Sequence, residues 1–501
     1  MPGGANGEVR RLHPMSWLFV LLQQLKQFVV PLLVLVFLGR GDRNQLWSLL
    51  VVGGFVVVAL WRYLTFRYRI TADSVVIDSG LLQRSRRQVP FSRIHNVAIH
   101  QSLLHRLFDV AEVRLESAGG DKPEAQMRVL QLSDAIALEA LVRRRGAAAP
   151  AAVAAPAPAA SAGQTEDLAE GRVLLALSPA EVLRLGLVSN RGMIVVGGAA
   201  VGLSQLNPRL PDDVSDRWSQ GLQAYFGSHH FSYGEYALAI VAALLGFAVL
   251  LRVFSVALAL LQYWGFRLEE HGRRLTVERG LLTRLRTSAP RRRIQSWTLR
   301  ESVLHRWFGR RTLEIDSAVA ADSNQRRGLR ELAPIATPAA CDALVRHLLP
   351  GTTWPPAHWH PLHARAWWRL SLPGSVVALL LSAALCWRAG PWGLAALLLL
   401  PWVVFVARQH AHRAGYAIDE RLVGARTGWW SRRWRFAELD KLQALELRQS
   451  PLDRSLGMAT LWLDTAGAAS GPLRLRYLPL AQAQALRARL GREIARRTLR
   501  W

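Results

Sequence analysis

Residues 66–118 read FRYRITADSVVIDSGLLQRSRRQVPFSRIHNVAIHQSLLHRLFDVAEVRLESA, and the same pattern returns two hundred positions later without insertion or deletion. The positions that return form a glycine turn, a proline, an Arg-Ile pair and a Leu-His-Arg-x-Phe turn: Gly80, Pro90, Arg93, Ile94, Leu104, His105, Arg106 and Phe108, then Gly280, Pro290, Arg293, Ile294, Leu304, His305, Arg306 and Phe308. A fainter third copy places Gly428 where Gly80 stands. A repeat of this kind predicts that one structural unit occurs three times.

The repeated stretch alternates apolar and polar residues in the manner of short antiparallel strands. Val113 and Leu115, for example, fall on one face of a predicted strand at 111–117, with polar residues on the other face. A helical pattern follows each copy, at residues 133–145, 337–349 and 480–497. Each copy is therefore predicted to be a small antiparallel β domain closed by a C-terminal helix.

The composition indicates a membrane protein. The chain has 501 residues, is 51% hydrophobic and yet carries a formal net charge of +27. Apolar residues are concentrated in six spans that form three pairs: residues 25–39 and 46–63, 188–206 and 236–257, and 373–387 and 391–407. A helix needs about 20 apolar residues to cross a bilayer. The sequence therefore predicts a mixed membrane protein with six transmembrane helices in three hairpins, each followed by one repeated β domain.

Each pair of spans has an amphipathic lead-in, at residues 15–24, 178–187 and 362–372. Polar and apolar residues alternate there at near-helical spacing, which predicts short helices lying at the membrane interface. The alternative is that each lead-in is the start of a tilted spanning helix.

The order of two spans, a Gly-Leu-Leu turn, a basic strand, a Pro-x-x-Arg-Ile strand and a Leu-His-Arg-x-Phe turn resembles the bacterial pleckstrin-homology-like (PH-like) family of type 2. Multi-module members of that family are the YdbT-like membrane proteins. In the third copy Glu438 replaces the proline, and Leu452-Asp453-Arg454 replaces the Leu-His-Arg turn. The resemblance implies a pleckstrin-like small barrel of about seven strands with a capping helix in each module. It implies no activity and no ligand.

The predicted segments are an interfacial helix and transmembrane hairpin 1 at 1–63, PH-like domain 1 at 64–145, an Ala/Pro linker at 146–171, transmembrane hairpin 2 at 172–263 with an external loop at 207–235, PH-like domain 2 at 264–350, a linker and transmembrane hairpin 3 at 351–407, and PH-like domain 3 at 408–501. Two spans per module return the chain to one side of the membrane. Basic residues near the span ends outnumber those of the opposite loops, so we expect a multi-pass bacterial inner-membrane protein with cytoplasmic PH-like domains.

A basic strand recurs in every module and is the candidate contact surface for lipid head groups or a protein partner: Arg84, Arg86 and Arg87; Arg284, Arg286, Arg291, Arg292 and Arg293; Arg432, Arg433 and Arg435. A domain tethered beside an anionic leaflet gains about 1 kcal/mol for each basic residue near the surface. The alternative is a solvated basic face without a specific ligand.

Arg252 interrupts the fourth span, and an ionisable residue in a span is a functional candidate. The plainer interpretation is that Arg252 lies near the cytoplasmic end and reaches the interface with its long side chain. Histidines also cluster near the third pair of spans, but without the nearby ligands of a metal site we interpret them as loop residues: His358, His360, His363, His410 and His412.

The sequence therefore favours a non-enzymatic membrane protein whose PH-like domains bind anionic lipid head groups or a protein partner, in a scaffold or membrane-homeostasis role. The expected partners are membrane lipids, and a smaller PH-like membrane protein or further copies of this chain. Nucleic acid is not expected, because no base-stacking platform accompanies the charge. No catalytic residue, cofactor or metal site is predicted. The alternative is a transporter or lipid-handling protein that uses the six-helix bundle.

Overall fold

The computed structural model of the chain describes residues 9–11, 67–71, 74–79, 85–91, 94, 96–116, 125–148, 171–206, 220–221, 232–317, 330–467 and 471–496. The predicted spans at 25–39 and 46–63 lie outside these residues, as do the lead-in at 15–24 and most of the linker at 146–171 and of the loop at 207–235. The chain divides into two compact units, and the smaller unit consists of Ala176–Phe266 with Arg279–Leu282.

The strands of the described residues fall into three modules of seven, and each module ends in a helix. The first module contains β1 Val9–Arg11, β2 Arg67–Ile70, β3 Ser74–Ser79, β4 Ser85–Pro90, β5 Asn96–Gln101, α1 Leu103–Leu107, β6 Val110–Glu116, β7 Ala125–Gln131 and α2 Leu132–Ala148.

The second module repeats this order around three additional helices. It contains β8 Arg172–Ala176, α3 Pro179–Val188, α4 Arg191–Leu206, α5 Tyr233–Tyr263, β9 Arg267–His271, β10 Arg274–Arg279, β11 Arg284–Pro290, β12 Ile294–Glu301, α6 Val303–Trp307, β13 Arg311–Ser317, β14 Glu331–Ala336 and α7 Pro338–Leu348.

The third module repeats the order again around a long helical segment. It contains β15 His360–Pro361, α8 Ala366–Ala389, a 3-10 helix Gly390–Leu398, α9 Leu399–Arg413, β16 Gly415–Ile418, β17 Leu422–Thr427, β18 Arg432–Glu438, β19 Leu442–Arg448, α10 Pro451–Ser455, β20 Met458–Thr465, β21 Leu473–Pro479 and α11 Leu480–Arg496.

The sheets are shared between successive modules. The first sheet has the order β1-β2-β3-β4 and the last has the order β19-β20-β21. Between them lie two seven-stranded sheets, β7-β6-β5-β11-β10-β9-β8 and β14-β13-β12-β18-β17-β16-β15. The last three strands of one module therefore continue into the first four strands of the next. PH-like β domains are present as predicted, but they are joined through their sheets.

We call the pairing between a strand of one module and a strand of the next a joint. At the first joint β5 pairs with β11. The two strands are antiparallel, with Arg284 opposite Gln101 and Thr287 opposite Ala98. Backbone hydrogen bonds of an antiparallel ladder hold the first two modules together here, in addition to side-chain packing.

The second joint pairs β12 with β18 at the equivalent positions. Arg432 lies opposite Glu301 and Phe436 lies opposite Trp297. The Trp297 side chain is 1% exposed, and its ring stacks on that of Phe436 with the centroids 6.4 Å apart. The repeat therefore dictates one register, and both joints use it.

A helix covers the core of each module through residues three or four positions apart. In α2 these residues are Ala135, Leu138 and Val142, all nearly inaccessible to solvent. In α11, Ala483 and Leu490 lie two helical turns apart on the same face and have the same role. This spacing places the side chains on one helical face, where they cover the sheet.

The recurring serine of each module begins a short helix. Ser102 and Ser302 accept a hydrogen bond from the backbone N–H three residues later, which is the N-cap geometry. Their hydroxyls also lie 2.6 and 2.8 Å from Nδ1 of His105 and His305. The shared histidines are thus part of the cap of α1 and α6. In the third module Asp453 completes a capping box in their place.

The prediction of six transmembrane helices in three hairpins is wrong for the part of the chain that the structure describes. There, two helical segments are long and apolar enough to cross a membrane: Gly234–Tyr263 with 30 residues and Ala366–Arg413 with 48. The predicted span at 188–206 becomes α4, whose 16 residues extend about 24 Å at 1.5 Å per residue, less than a bilayer core of about 30 Å. The predicted spans at 373–387 and 391–407 belong to one helical segment.

That segment of the third module folds back on itself at Gly390. This glycine has φ +65°, which favours a residue without a side chain. Beyond the turn, the Ser382 hydroxyl donates to the carbonyl of Gly393 at 3.1 Å. A side chain added at Gly374 would collide with Val403, so the two arms are in close contact.

In the second and third modules the long helices come between the first two strands of the module in chain order. β8 pairs with β9 across α3, α4 and α5. β15 pairs with β16 across α8 and α9, with His360 opposite Tyr416. In these modules the chain thus forms the first strand, continues through the helical segment, and then returns to the same sheet to form the second strand.

Candidate functional site

The basic strands β11 and β18 lie at the joints. On β11, Arg284 forms an ion pair with Glu278 on the neighbouring strand. Arg286 lies 3.8 Å from Glu139 of α2, a residue of the preceding module. Both arginines therefore have acidic neighbours, one of them across the first joint.

The three consecutive arginines of the second module follow β11. Arg291 lies 3.7 Å from Glu270 and donates to the carbonyls of His347 and Leu348, so it neutralises the C-terminal end of α7. The backbone carbonyl of Arg292 accepts a hydrogen bond from Lys441, and the Arg292 side chain is exposed.

Arg293, the last of these three arginines, is partly buried. Burial is the main cause that lowers the pKa of its guanidinium, and the neighbouring Arg292 and Arg274 lower that pKa further. Of the three, Arg292 is therefore the most available to an external anion.

On β18 the arginines are partly buried against the preceding module. Arg432 lies 3.3 Å from Glu301 of β12. Burial lowers the pKa of Arg433, and burial together with Arg433 lowers the pKa of Arg435 to about 10. Arg435 donates to the carbonyls of Pro472 and Gly471. These cations have intramolecular partners that the sequence alone did not indicate.

The first module presents its basic strand differently. Arg86 and Arg87 of β4 are exposed to solvent, and no described strand of another module lies beside β4. Arg84 lies outside the described residues. The three predicted basic strands thus differ: β11 and β18 pair with strands of the preceding module, whereas the described arginines of β4 are exposed.

Arg252 lies in the smaller unit and hydrogen-bonds to the end of α3. Its guanidinium donates to the carbonyls of Leu187 and Ser189 at 3.0 and 3.1 Å, and to the side chain of Asn190 at 3.3 Å. A cation is favourable at a helix C-terminus, where carbonyls lack helical partners. This contact gives Arg252 a structural partner within the unit.

A cavity of about 260 Å³ lies where the helical segment of the third module meets its sheet. Its apolar wall includes Leu362 and Leu370, and its basic side includes Arg426, Arg474 and Arg476. The alternation of leucine and arginine in β21 places both arginines on one face of the strand. Sequence reasoning missed this part of β21, although the period-two pattern was visible.

Two further features mark the same cavity. Tyr477 lines it with φ +55°, a conformation that is strained for a bulky residue and that concentrates at functional sites. Tyr416 also lines it, and burial raises the pKa of its hydroxyl. His410, at the end of α9, completes the polar side. The arrangement can accept a small anion with an apolar group attached.

The aromatic side chains of the helical segment suit a membrane interface. Trp387 and Trp392, beside the turn at Gly390, are 94% and 84% exposed. Near the other end, Arg408 stacks on Trp367 at 4.5 Å from the ring centroid. Tryptophan is enriched at both faces of a bilayer. The cavity therefore lies at the end of an apolar segment whose exposed surface matches a lipid environment.

Among the described residues, no group of three His, Cys, Asp or Glu side chains is placed so that it could hold a metal ion. The histidine cluster instead makes ring and backbone contacts. His360 stacks on Tyr416 with the centroids 5.0 Å apart, and the backbone N–H of His363 donates to the carbonyl of Tyr477.

Seven-stranded modules with a capping helix, repeated in tandem around apolar helical segments, define a membrane protein with PH-like domains. The chain belongs to the bacterial PH domain family, which it matches over residues 20–146, 222–346 and 372–494. The resemblance inferred from the repeat is thus confirmed.

A relative of known sequence matches most of the chain. Over 405 residues the chain is 24% identical to the UPF0699 transmembrane protein YdbT of Bacillus subtilis (strain 168), which covers 79% of this chain and 80% of that protein. No solved structure matches the chain. Neither the family description nor the name of this relative contains an enzymatic activity.

Proposed function

We propose that this chain is a non-enzymatic protein of the bacterial inner membrane whose PH-like modules face the cytoplasm and bind anionic lipid head groups. The observation that carries the proposal is the cavity at the base of the helical segment in the third module. Leu370 of α8 and His410 of α9 line it together with Arg474 and Arg476 of β21. A lipid whose chains lie along the helices would place its phosphate beside these cations.

The electrostatics of the cavity favour an anion. Burial lowers the pKa of Arg426, whose guanidinium lies 5.0 Å from the centroid of the Trp359 ring, and a bound anion would stabilise such a partly desolvated cation. Arg474 is fixed by stacking on Trp462, with its guanidinium 3.8 Å from the ring centroid. A pre-positioned cation loses less side-chain entropy when it binds a phosphate. The exposed Arg292 adds long-range attraction to an anionic leaflet.

The test uses the full-length protein in an uncharged detergent, titrated with short-chain phosphatidylglycerol and, separately, with short-chain phosphatidylcholine. We expect the anionic lipid to bind more tightly, with an affinity that falls as salt rises. Replacing Arg474 and Arg476 together by Gln removes two charged contacts of about 1.5 kcal/mol or more each. That loss corresponds to at least about a hundredfold weaker binding, because 1.4 kcal/mol is a factor of ten.

The matched control replaces Arg487 and Arg489 by Gln. These two residues are exposed on α11 and do not line the cavity. Both double variants lose two positive charges, so the control matches the change in net charge. Equal binding of the two lipids, or equal loss in the two double variants, would contradict a head-group site in this cavity.

A further inference from the structure

Two strands, one in the first module and one in the third, lack the neighbouring strand that their equivalents in the other modules have among the described residues. β5 and β12 each have a strand of the next module beside them, whereas their equivalent β19 is the last strand of its described sheet. At the other end of the three modules, β4 is the equivalent of β11 and β18 and is likewise the last strand of its sheet among the described residues. The chain thus presents one half of a joint at each end.

The exposure of the β19 side chains shows the difference. At one equivalent position Ala98 of β5 is 0% exposed and Thr298 of β12 is 3% exposed. The residue of β19 at that position is Glu446, and its side chain is 56% exposed. The inward-facing residues follow the same trend, since Leu299 is 1% exposed and Leu447 is only half-buried.

The same comparison holds for β4. Thr287 of β11 is 2% exposed, and Arg435 of β18 is partly buried. Their equivalent in β4 is Arg87, which is exposed. Both strands therefore have the exposure expected of a joint that lacks its second half.

The register of a third joint follows from the first two. In the first joint Thr287 lies opposite Ala98, and in the second Arg435 lies opposite Thr298. Carried to β4 and β19, this register places Arg87 opposite Glu446. Glu446 already lies 2.7 Å from Arg448 of its own strand. Arg87 would add a second cation beside this exposed carboxylate, because oppositely charged side chains directly across an antiparallel pair attract each other.

We propose that β19 of one copy of this chain pairs antiparallel with β4 of a second copy, so that the sheets continue from chain to chain. A second copy is the occupant because each chain carries both halves, in one register and with complementary charge, while β4 and β19 of one chain end separate described sheets and are not paired with each other. An uncovered strand edge is a template for strand addition, and this chain has two matching ones. The inference is independent of lipid binding.

The contact is head to tail, since β19 and β4 are different surfaces. Such contacts either close into a ring or extend into a filament. Two copies close the smallest ring, because each covers both edges of the other. We expect a particle with twice the 55.8 kDa mass of one chain.

The experiment is disulfide cross-linking, driven by added copper(II) phenanthroline as oxidant in isolated membranes, between differently tagged, co-expressed full-length chains that carry Cys386→Ala. One chain carries Glu446→Cys and the other Arg87→Cys. Directly opposite residues of an antiparallel pair have Cα atoms about 4.5–5.5 Å apart, within the range of about 4.4–6.8 Å that a disulfide requires. The native Cys341 is 0% exposed and remains.

The internal positive control is Thr298→Cys with Arg435→Cys in one chain, which occupies the same register in the second joint. The off-register control combines Glu446→Cys in one chain with Ser85→Cys in the other, whose Cα atoms would be about 7–8 Å apart. We expect a chain-to-chain disulfide for Glu446→Cys with Arg87→Cys at a yield similar to the internal control, and a loss of that product in the off-register pair.

Three results would overturn the inference. The first is the absence of chain-to-chain product while the internal control cross-links. The second is an equal yield from the off-register pair, which indicates random collision. The third is a monomeric cross-link when Glu446→Cys and Arg87→Cys are placed in one chain, which indicates closure within a single copy.

Discussion

Replacing Glu301 by Gln should destabilise the second joint. Glu301 is 5% exposed; its carboxylate accepts from Arg311 at 2.8 Å and from Arg432 at 3.3 Å. The amide keeps the shape of the side chain but removes the charge. Modules one and three carry Gln101 and Gln449 at this position, so an amide fits the local backbone.

The expected loss is about 3 kcal/mol. A hydrogen bond to a charged group contributes about 1.5–3 kcal/mol, and leaving a buried charge without its partner costs about 3–5 kcal/mol. The low end of the 3–5 kcal/mol range applies for two reasons. Arg311 keeps an ion pair with Asp342 at 3.7 Å, and the Arg311 and Arg432 side chains are 23% and 24% exposed to solvent. For a folding unit of about 150–250 residues, 3 kcal/mol lowers the thermal midpoint by about 6–12 °C.

The assay is thermal unfolding of the full-length chain in detergent, followed by tryptophan fluorescence. The control is Asp440→Asn, which removes an exposed ion pair with Lys441 at 3.7 Å and should lower the midpoint little. The Arg432→Gln variant and the double variant complete a cycle, in which a large coupling is expected between residues in contact. A midpoint for Glu301→Gln equal to that of Asp440→Asn would refute the reasoning.

Three further predictions concern single residues. Trp297→Ala should cost about 3–5 kcal/mol of unfolding free energy, measured by denaturant titration, whereas Trp307→Ala, at 81% exposure, should change it little. Gly309→Ala should cost about 1–2 kcal/mol, because φ is +59° and only backbone strain opposes the methyl group in open space; Gly309→Asp should cost less, since Asp109 occupies the equivalent position. Burial raises the pKa of Cys341 to about 12, so in a Cys386→Ala chain a maleimide at about pH 8 should label Cys341 only after unfolding; labelling of that folded chain would contradict its burial.

Local features of the fold were predictable from the repeat because their causes are local. Gly280 and Gly428 return because their turn has φ of 114° and 85°. At Gly428, an added side chain would also meet the carbonyl of Ser431. The capping helices were predicted within a few residues from the spacing of their apolar positions.

The joints were not predictable in the same way. The acidic partners of the basic strands, such as Glu139 and Glu301, lie one module away in sequence, and no periodic pattern connects them to Arg286 or Arg432. The arginines therefore looked like a free surface. The first strand of the third module, His360–Pro361, is too short to have a period. Hydropathy also indicated six spans, although a described helix such as α4 is too short to cross a bilayer.

The pairing of β15 with β16 requires the helical segment of the third module to cross a bilayer an even number of times. Because His360 lies opposite Tyr416, both ends of the segment Ala366–Arg413 must lie next to the same sheet. An odd number of bilayer crossings would separate those strands by about 30 Å and prevent their hydrogen bonding. A change that reversed the insertion of this segment would therefore have to carry the whole module to the other side, rather than leave it divided.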